Sequence, residues 1–159
     1  MKVFISHQRA DTALAAELAQ RLKVMHRIES YLDVFDVNAA GTGDALADHV
    51  KAEMGNCTQL LAVVSQATQG SWWVPWEIGI ATEKDYPLAT YVGGGAVSLP
   101  DYLRKWPYLQ THVDLDRYAA ASKAAANDFE IKKRHLTEDV ARIRSTKEFH
   151  RVLKSSLGQ

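Results

Sequence analysis

Three tryptophans and one glutamate stand close together near the middle of the chain, in the segment GSWWVPWEIGIA at positions 70–81. Ser71 can cap the start of a helix, and Pro75 is tolerated only in a first turn, because its nitrogen has no hydrogen to donate. The segment therefore predicts a helix that begins near Ser71. In that helix Trp73 and Glu77 are four residues apart and share one face.

An aromatic wall changes what a carboxylate can do. Beside an indole a carboxylate is poorly hydrated, so that it can act as a general base or stabilise a developing cation. Glu77 next to Trp73 fits this description. A plainer interpretation is also open, in which the tryptophans pack in the core and Glu77 is a first-turn acid that the helix dipole favours. Elements elsewhere in the chain must decide between the two.

The composition bounds the kind of protein. With 159 residues, 47% of them hydrophobic, the chain can bury the core of one domain. Residues 130–159 carry eight Lys or Arg against four Asp or Glu, which leaves the rest of the chain at −4 and the whole at zero. So small an excess is typical of a solvated helical face or a self-association surface and does not favour nucleic acid binding.

Cysteine usage and hydropathy point to one compartment. The single cysteine, Cys57, excludes an internal disulfide and leaves no Cys-His cluster with zinc spacing, so we predict no metal. No apolar run reaches the ~18 residues that cross a bilayer. The chain opens on a strand pattern without a signal peptide, and we therefore expect a cytoplasmic protein without a membrane partner.

Strand and helix patterns alternate along most of the chain. We predict strands at 2–6, 30–34, 59–65, 87–92 and 110–114, and helices at 13–22, 44–54 and 71–84, followed by Ala-rich helices from 117 with a break near 136. Asp11 is the expected cap of the first helix, and Ser145 to Glu148 resemble a capping box before the last one. The loop at 93–95 is Gly-rich, but it lacks the residues of a phosphate-binding loop.

This alternation predicts an α/β fold: one flavodoxin-like, three-layer domain with a mostly parallel five-stranded sheet. We place the α/β domain at 1–115 and a C-terminal helical extension packed on it at 116–159. Ligands of such folds bind at the carboxyl ends of the strands. Ser6 and Glu77 should meet at that edge, with Glu77 on the rim, where it would contribute little to packing.

Two stretches resemble the Toll/interleukin-1 receptor (TIR) domain. Residues 3–12, VFISHQRADT, are similar to the family's opening box, an apolar strand that ends in Ser with an acid five places on. Ser71, Trp73 and Glu77 match the Ser-x-Trp-x-x-x-Glu pattern of the enzymatic TIR branch, although Val74 stands where a Cys is common. The resemblance covers residues 1 to about 115.

The resemblance implies an activity. Enzymatic TIR domains cleave the nicotinamide-ribose bond of NAD+ and then hydrolyse or cyclise the product, and bacterial members commonly serve antiphage defence. Glu77 would then be the catalytic carboxylate, without a metal and with NAD+ as substrate instead of a bound cofactor. The remaining residues implied in substrate binding are Ser6, His7, Gln8, Arg9, Asp36, Ser71 and Trp73.

The same resemblance qualifies several of these residues. Gln8 stands where many active relatives carry Arg, and Arg9 could take over the phosphate contact. His7 has no nucleophile-base-acid pattern around it and is expected to be a surface or loop residue. The loop from Phe35 to Gly43, which contains Asp36, falls where the family has its self-association loop.

Three functions are compatible with these residues. The first is an NAD+ glycohydrolase or cyclase whose product acts on a separate effector. The second is a non-enzymatic TIR module that signals by assembly, although such a module has no need of Glu77 in register with Ser71 and Trp73. The third, more remote, is an enzyme similar to nucleoside deoxyribosyltransferases, which have a similar fold and a catalytic glutamate.

Overall fold

The computed structural model describes residues 1–32, 44–93 and 99–159. Its strands are β1 (Lys2–Ser6), β2 (Glu29–Leu32), β3 (Gln59–Val64), β4 (Leu88–Val92) and β5 (Tyr108–Leu109). They form one sheet in the order β2-β1-β3-β4-β5, and every neighbouring pair is parallel. The predicted α/β class with a central parallel sheet is confirmed.

In the ranges that the structure describes, five α-helices connect and cover these strands. They are α1 (Thr12–His26), α2 (Asp44–Gly55), α3 (Trp73–Glu83), α4 (His112–Lys132) and α5 (Glu138–Leu157), with short 3-10 helices at Arg9–Asp11, Gln66–Gly70 and Asp101–Lys105. The predicted break near 136 lies in the turn between α4 and α5. Because α4 begins at His112 and continues to Lys132, it passes through the predicted boundary after residue 115, and that division of the chain stays a prediction.

The sheet separates two apolar layers. Successive side chains of a strand point to opposite faces, so Val3 and Ile5 pack with α1, α4 and α5, whereas Phe4 packs with α2 and α3. All six residues of β3 are buried, as a central strand covered on both faces requires. This three-layer arrangement fixes the carboxyl ends of β1 and β3 at one edge of the sheet.

Several local predictions were wrong. The weak strand predicted at 110–114 is instead the start of α4, because Thr111 caps that helix through a reciprocal bond pair with Asp114. Ser145 is no cap; it is buried within α5 and donates to Asp128. Asp11 stands at the first position before α1, but its side chain makes no capping bond there.

An ion cluster joins α1 to α4. Arg21 donates two hydrogen bonds to Asp116, at 2.9 and 2.6 Å, and His26 Nε2 lies 2.7 Å from the same carboxylate. The hydrogen bond from Arg21, followed by that from His26, lowers the pKa of Asp116 to about 2. This carboxylate therefore stabilises the fold at neutral pH and loses its contribution only as the pH falls from the model-peptide value of 3.8 toward 2.

A different pH dependence arises at His150. Its Nε2 accepts the backbone N–H of Leu88 at 3.2 Å and so satisfies the first residue of β4. Burial lowers the pKa of His150 from 6.5 to about 4. The unfolded chain therefore binds a proton before the folded protein does, and stability is lost as the pH falls from 6.5 to 4, by up to about 3 kcal/mol.

We expect His150→Gln to flatten this pH dependence. Glutamine keeps a hydrogen-bond acceptor for Leu88 but cannot take up a proton. The measurement is the free energy of unfolding in urea at several pH values between 7 and 4 for both proteins. If the free energy of unfolding falls equally steeply with pH in both proteins, His150 does not titrate on unfolding. Asp116 does not confuse the comparison, because it is present in both proteins and loses its contribution only at lower pH.

Candidate active site

Ser6 and Glu77 meet at the carboxyl edge of the sheet, although 71 positions separate them in the chain. Ser6 is the last residue of β1, and Glu77 lies in the second turn of α3. The Ser6 hydroxyl donates a hydrogen bond to Oε2 of Glu77. The structure thus brings together the two residues that the strand and helix patterns place at one edge.

Glu77 is more deeply set than the sequence suggests. Its exposed fraction is 1%, and that of Ser6 is 0%. The expectation of a rim acid with little role in packing was therefore wrong, because α3 turns this side chain inward toward the end of β1. A carboxylate withdrawn from water carries a large desolvation cost, which hydrogen bonds such as the one from Ser6 offset in part.

The loop before α3 sets the position of Glu77. Ser65, at the end of β3, caps the 3-10 helix Gln66–Gly70 through a reciprocal bond pair with Thr68. Ser71 Oγ then accepts the N–H of Val74, in the first turn of α3, at 3.2 Å. Ser71 was predicted as the cap; the residue directly before the helix is Trp72, whose side chain makes no capping bond, so Ser71 acts from one position further out. The bonds of Ser65 and Ser71 together fix where α3 begins.

Packing sets the rotation of α3. Val74, Ile78 and Ala81 are buried against the core that also contains β3. These residues occupy one side of the helix at three- and four-residue spacing. Glu77 lies next to this stripe and so faces Ser6.

The three tryptophans take different positions. Trp72 is 89% exposed, whereas Trp73 and Trp76 are partly buried against the core on the α2/α3 side. The indoles of Trp73 and Trp76 meet edge to face with ring centres 5.3 Å apart, and Lys51 Nζ lies 5.8 Å from the Trp76 ring. Trp73 and Trp76 therefore form an aromatic surface on α3, one turn and one residue before Glu77 respectively, and Trp72 is not part of it.

The loop after β1 holds the next three candidates. His7 was expected to be a surface or loop residue; it is a loop residue directly after β1, but a buried one, 3% exposed, with Nδ1 3.2 Å from the carbonyl oxygen of Ile5. Its ring folds back on the strand that it follows. Gln8 is half-buried and Arg9 is exposed beside it. Asp36 lies outside the described residues.

A further link at this edge was not predicted. Ser65 Oγ donates to Asp11 Oδ2 at 2.7 Å and also accepts the N–H of Ala67. Asp11 thereby ties the loop after β1 to the loop that leads into α3. The signal was present, since Asp11 is the acid five places after Ser6, but it was assigned to capping α1.

β2 ends at residue 32 and α2 begins at residue 44, on the two sides of the segment 33–43. In the strand register Leu32 pairs with Ile5, the residue before Ser6. The predicted self-association loop, with Phe35, falls on this segment and lies outside the described residues.

The chemistry available at this edge is that of a buried carboxylate beside aromatic rings. Such a group stabilises positive charge that develops on a substrate. Within the three described ranges, no three His, Cys, Asp or Glu side chains stand close enough to hold a metal ion. In the same part of the chain, no helix is long and apolar enough to cross a membrane.

Comparison with known proteins gives the family. Among solved structures, the interleukin-17 receptor B SEFIR domain superposes with a TM-score of 0.53 at 12% identity, covering 76% of this chain and 92% of its own. The TIR domains of the activated Roq1 resistosome, which recognises the pathogen effector XopQ, give 0.48 at 15% identity, covering 99% and 97%. No curated protein matches the sequence significantly. The TIR domain profile matches residues 3–125, well over half of the chain, and the protein therefore belongs to the TIR domain family.

Proposed function

We propose that this TIR domain cleaves the nicotinamide-ribose bond of NAD+, with Glu77 as the catalytic carboxylate. The observation that supports the proposal is the buried pair of Ser6 and Glu77 at the carboxyl edge of the sheet. Burial of a carboxylate opposes folding, and an assembly module gains nothing from one at this place. A glycosidic cleavage does, because it needs negative charge near the anomeric carbon.

The proposed reaction breaks the bond between C1′ of the ribose and the pyridinium nitrogen. The electron pair of that bond leaves with nicotinamide, which becomes neutral, and positive charge develops on the ribose. The Glu77 carboxylate stabilises this charge. Attack on C1′ by water then yields ADP-ribose and a proton, and attack by another atom of the same nucleotide yields a cyclic product.

Ser6 has a positioning role in this proposal. Its hydroxyl holds Oε2 of Glu77 and so limits rotation of the carboxylate. The indoles of Trp73 and Trp76 would border the base or the ribose. His7, Gln8, Arg9, Asp36 and Ser71 stay predictions as substrate-binding residues, with Arg9 the exposed cation that could meet a phosphate.

Substrate comparison tests the class of reaction. Purified protein is incubated separately with NAD+ and with 2′-deoxynucleosides, and free nicotinamide or free base is measured by chromatography. We expect nicotinamide from NAD+ and no base from deoxynucleosides. Release of base alone would favour the deoxyribosyltransferase-like alternative, and no turnover of either at any protein concentration would favour the non-enzymatic assembly module.

We also propose a signalling role in antiphage defence. The product would be ADP-ribose or a cyclic ADP-ribose-type nucleotide that a separate effector senses, in the cytoplasm of a bacterium. The support is the enzymatic Ser-x-Trp-x-x-x-Glu pattern at Ser71, Trp73 and Glu77. Mass spectrometry of the reaction products distinguishes the linear from the cyclic nucleotide.

The loop from Phe35 to Gly43 leads to a prediction about assembly. We expect it to close over Glu77 of a neighbouring copy, so that turnover per molecule rises with protein concentration. Phe35→Ala should weaken that rise, and Val24→Ala, which changes a residue 67% exposed on α1, serves as the control. Turnover is measured over a wide dilution series. Constant turnover per molecule, unaffected by Phe35→Ala, would show that one monomer holds a complete site.

A further inference from the structure

A second cavity lies at the opposite edge of the sheet from Glu77, where the strands begin. It has a volume of about 290 Å³ and lies between the start of β3, the residue before β4, and the α4–α5 hairpin. Its lining includes Gln59, Pro87, Ala125, Ala126, Phe129 and Arg142. It shares no residue with the Ser6–Glu77 site.

Gln59 is the most deeply buried of three buried polar residues that line this cavity, with an exposed fraction of 2%; the other two are Ser145 and Thr146. Its Oε1 accepts hydrogen bonds from Tyr118 OH at 3.0 Å and from Ser122 Oγ at 2.7 Å. Burial raises the pKa of the Tyr118 hydroxyl, so that this group stays a donor at neutral pH. With two hydroxyl donors on the oxygen, the orientation of the amide is fixed, and its nitrogen points toward Met1.

The amide nitrogen has a poor partner. Within the part of the chain that the structure describes, Nε2 of Gln59 donates to one atom, Sδ of Met1 at 2.9 Å. A thioether is a weak acceptor, and the nitrogen carries two hydrogens. Met1 is 44% exposed, so its side chain can move away from Gln59. A carbonyl oxygen in the cavity would be a better acceptor for a buried donor.

The charged side chains that line the cavity already have partners, which favours a neutral ligand. The guanidinium of Arg142 lies over the ring of Phe129, 5.3 Å from its centre, and donates to Glu138 at 2.6 Å. The carboxylate of Glu130 is paired with Lys133 at 3.4 Å. Both charges at the walls are therefore paired within the protein. Pro87, Ala125 and Ala126 give the cavity apolar walls suited to a small flat ring, whereas the Phe129 ring is already contacted by Lys133, 5.5 Å from its centre, as well as by Arg142.

We propose that this cavity binds a small neutral ring compound with a carbonyl oxygen, of the pyridine carboxamide or pyrimidine class, whose oxygen accepts from Gln59 Nε2 in place of Met1 Sδ. The cavity is near the lower limit of ligand pockets, which admits one ring and not a dinucleotide. A ligand of about nine heavy atoms should bind with a dissociation constant on the order of 0.1–10 mM. The proposal does not depend on the NAD+ cleavage proposed above.

Nicotinamide is the probe, titrated into the ¹⁵N-labelled full chain. We expect the backbone amides of Gln59, Ala125 and Ala126 to shift. Gln59→Glu keeps an oxygen for Tyr118 and Ser122 but removes the N–H donors, and should weaken binding by at least about tenfold. Ala126 is half-buried and lines the cavity, so Ala126→Leu puts a larger side chain into it. This variant should abolish the shifts that nicotinamide causes.

Nicotinamide is also the product of the proposed reaction, and Glu77→Gln separates the two sites. In that variant the shifts at Gln59, Ala125 and Ala126 should be unchanged. Shifts confined to the surroundings of Glu77, no shifts at all, or shifts that persist undiminished in Ala126→Leu would overturn the proposal. If Gln59→Glu does not fold, the Ala126→Leu result decides alone.

Discussion

Replacement of Glu77 by glutamine should reduce nicotinamide release from NAD+ by at least about a hundredfold, because the neutral amide cannot stabilise the positive charge that develops on the ribose. The fold should persist. The amide oxygen can still accept from Ser6, and the replacement has the same shape in a site where Glu77 is 1% exposed. Glu77→Ala is the less informative change, since it would leave a cavity in this buried place.

The measurement pairs turnover with stability. Nicotinamide release and the urea unfolding midpoint are determined for the wild type, for Glu77→Gln and for Glu83→Gln. Glu83 lies at the end of the same helix and is exposed, so it controls for the loss of one charge from α3. Full turnover by a folded Glu77→Gln protein would eliminate Glu77 as the catalytic carboxylate.

Ser6→Ala should lower turnover by roughly tenfold to a hundredfold, because the Glu77 carboxylate loses a donor that fixes its orientation. The effect should fall on kcat more than on KM, since Ser6 acts through Glu77 and not on bound NAD+. A loss of about 1–3 kcal/mol in unfolding free energy is also expected, from the poorer solvation of the buried carboxylate.

A matched control separates these two effects of Ser6→Ala. Thr90, on β4, has a hydroxyl that is buried and has no hydrogen-bond partner among the described residues. Thr90→Val removes a buried hydroxyl from the same sheet without touching Glu77 and should leave turnover unchanged. An equal decrease in both variants, or a rise in KM alone for Ser6→Ala, would contradict the positioning role.

Much of the fold follows from the apolar runs. The buried strands β1, β3 and β4 are apolar on both faces, so their place in a parallel sheet could be predicted from the sequence. The start of α4 was missed because Thr111 and Val113 are β-branched and favour a strand. The signal for a helix was present, since Thr111 and Asp114 have the spacing of a capping box, and the bonds between them begin α4.

At the candidate site, the sheet topology predicted where Ser6 and Glu77 lie, whereas the residue types did not predict the bond between them. That Ser6 and Glu77 share an edge follows from the rule that parallel strands end together. That Ser6 donates to Glu77, and is itself fully buried, depends on the rotation of α3, which the packing of Val74 and Ile78 sets. The burial of the His7 ring could not be predicted for the same reason, since a single loop residue after a strand gives no sign of which way its ring turns.

Cleavage of NAD+ by Glu77 is tested most directly by ¹H NMR of NAD+ mixed with the purified protein, with the wild type and Glu77→Gln at the same high protein concentration. We expect the nicotinamide signals of intact NAD+ to be replaced by those of free nicotinamide in the wild-type sample, and the Glu77→Gln sample to stay unchanged over the same time. Intact NAD+ in the wild-type sample at every protein concentration, or equal conversion in both samples, would contradict the role proposed for Glu77.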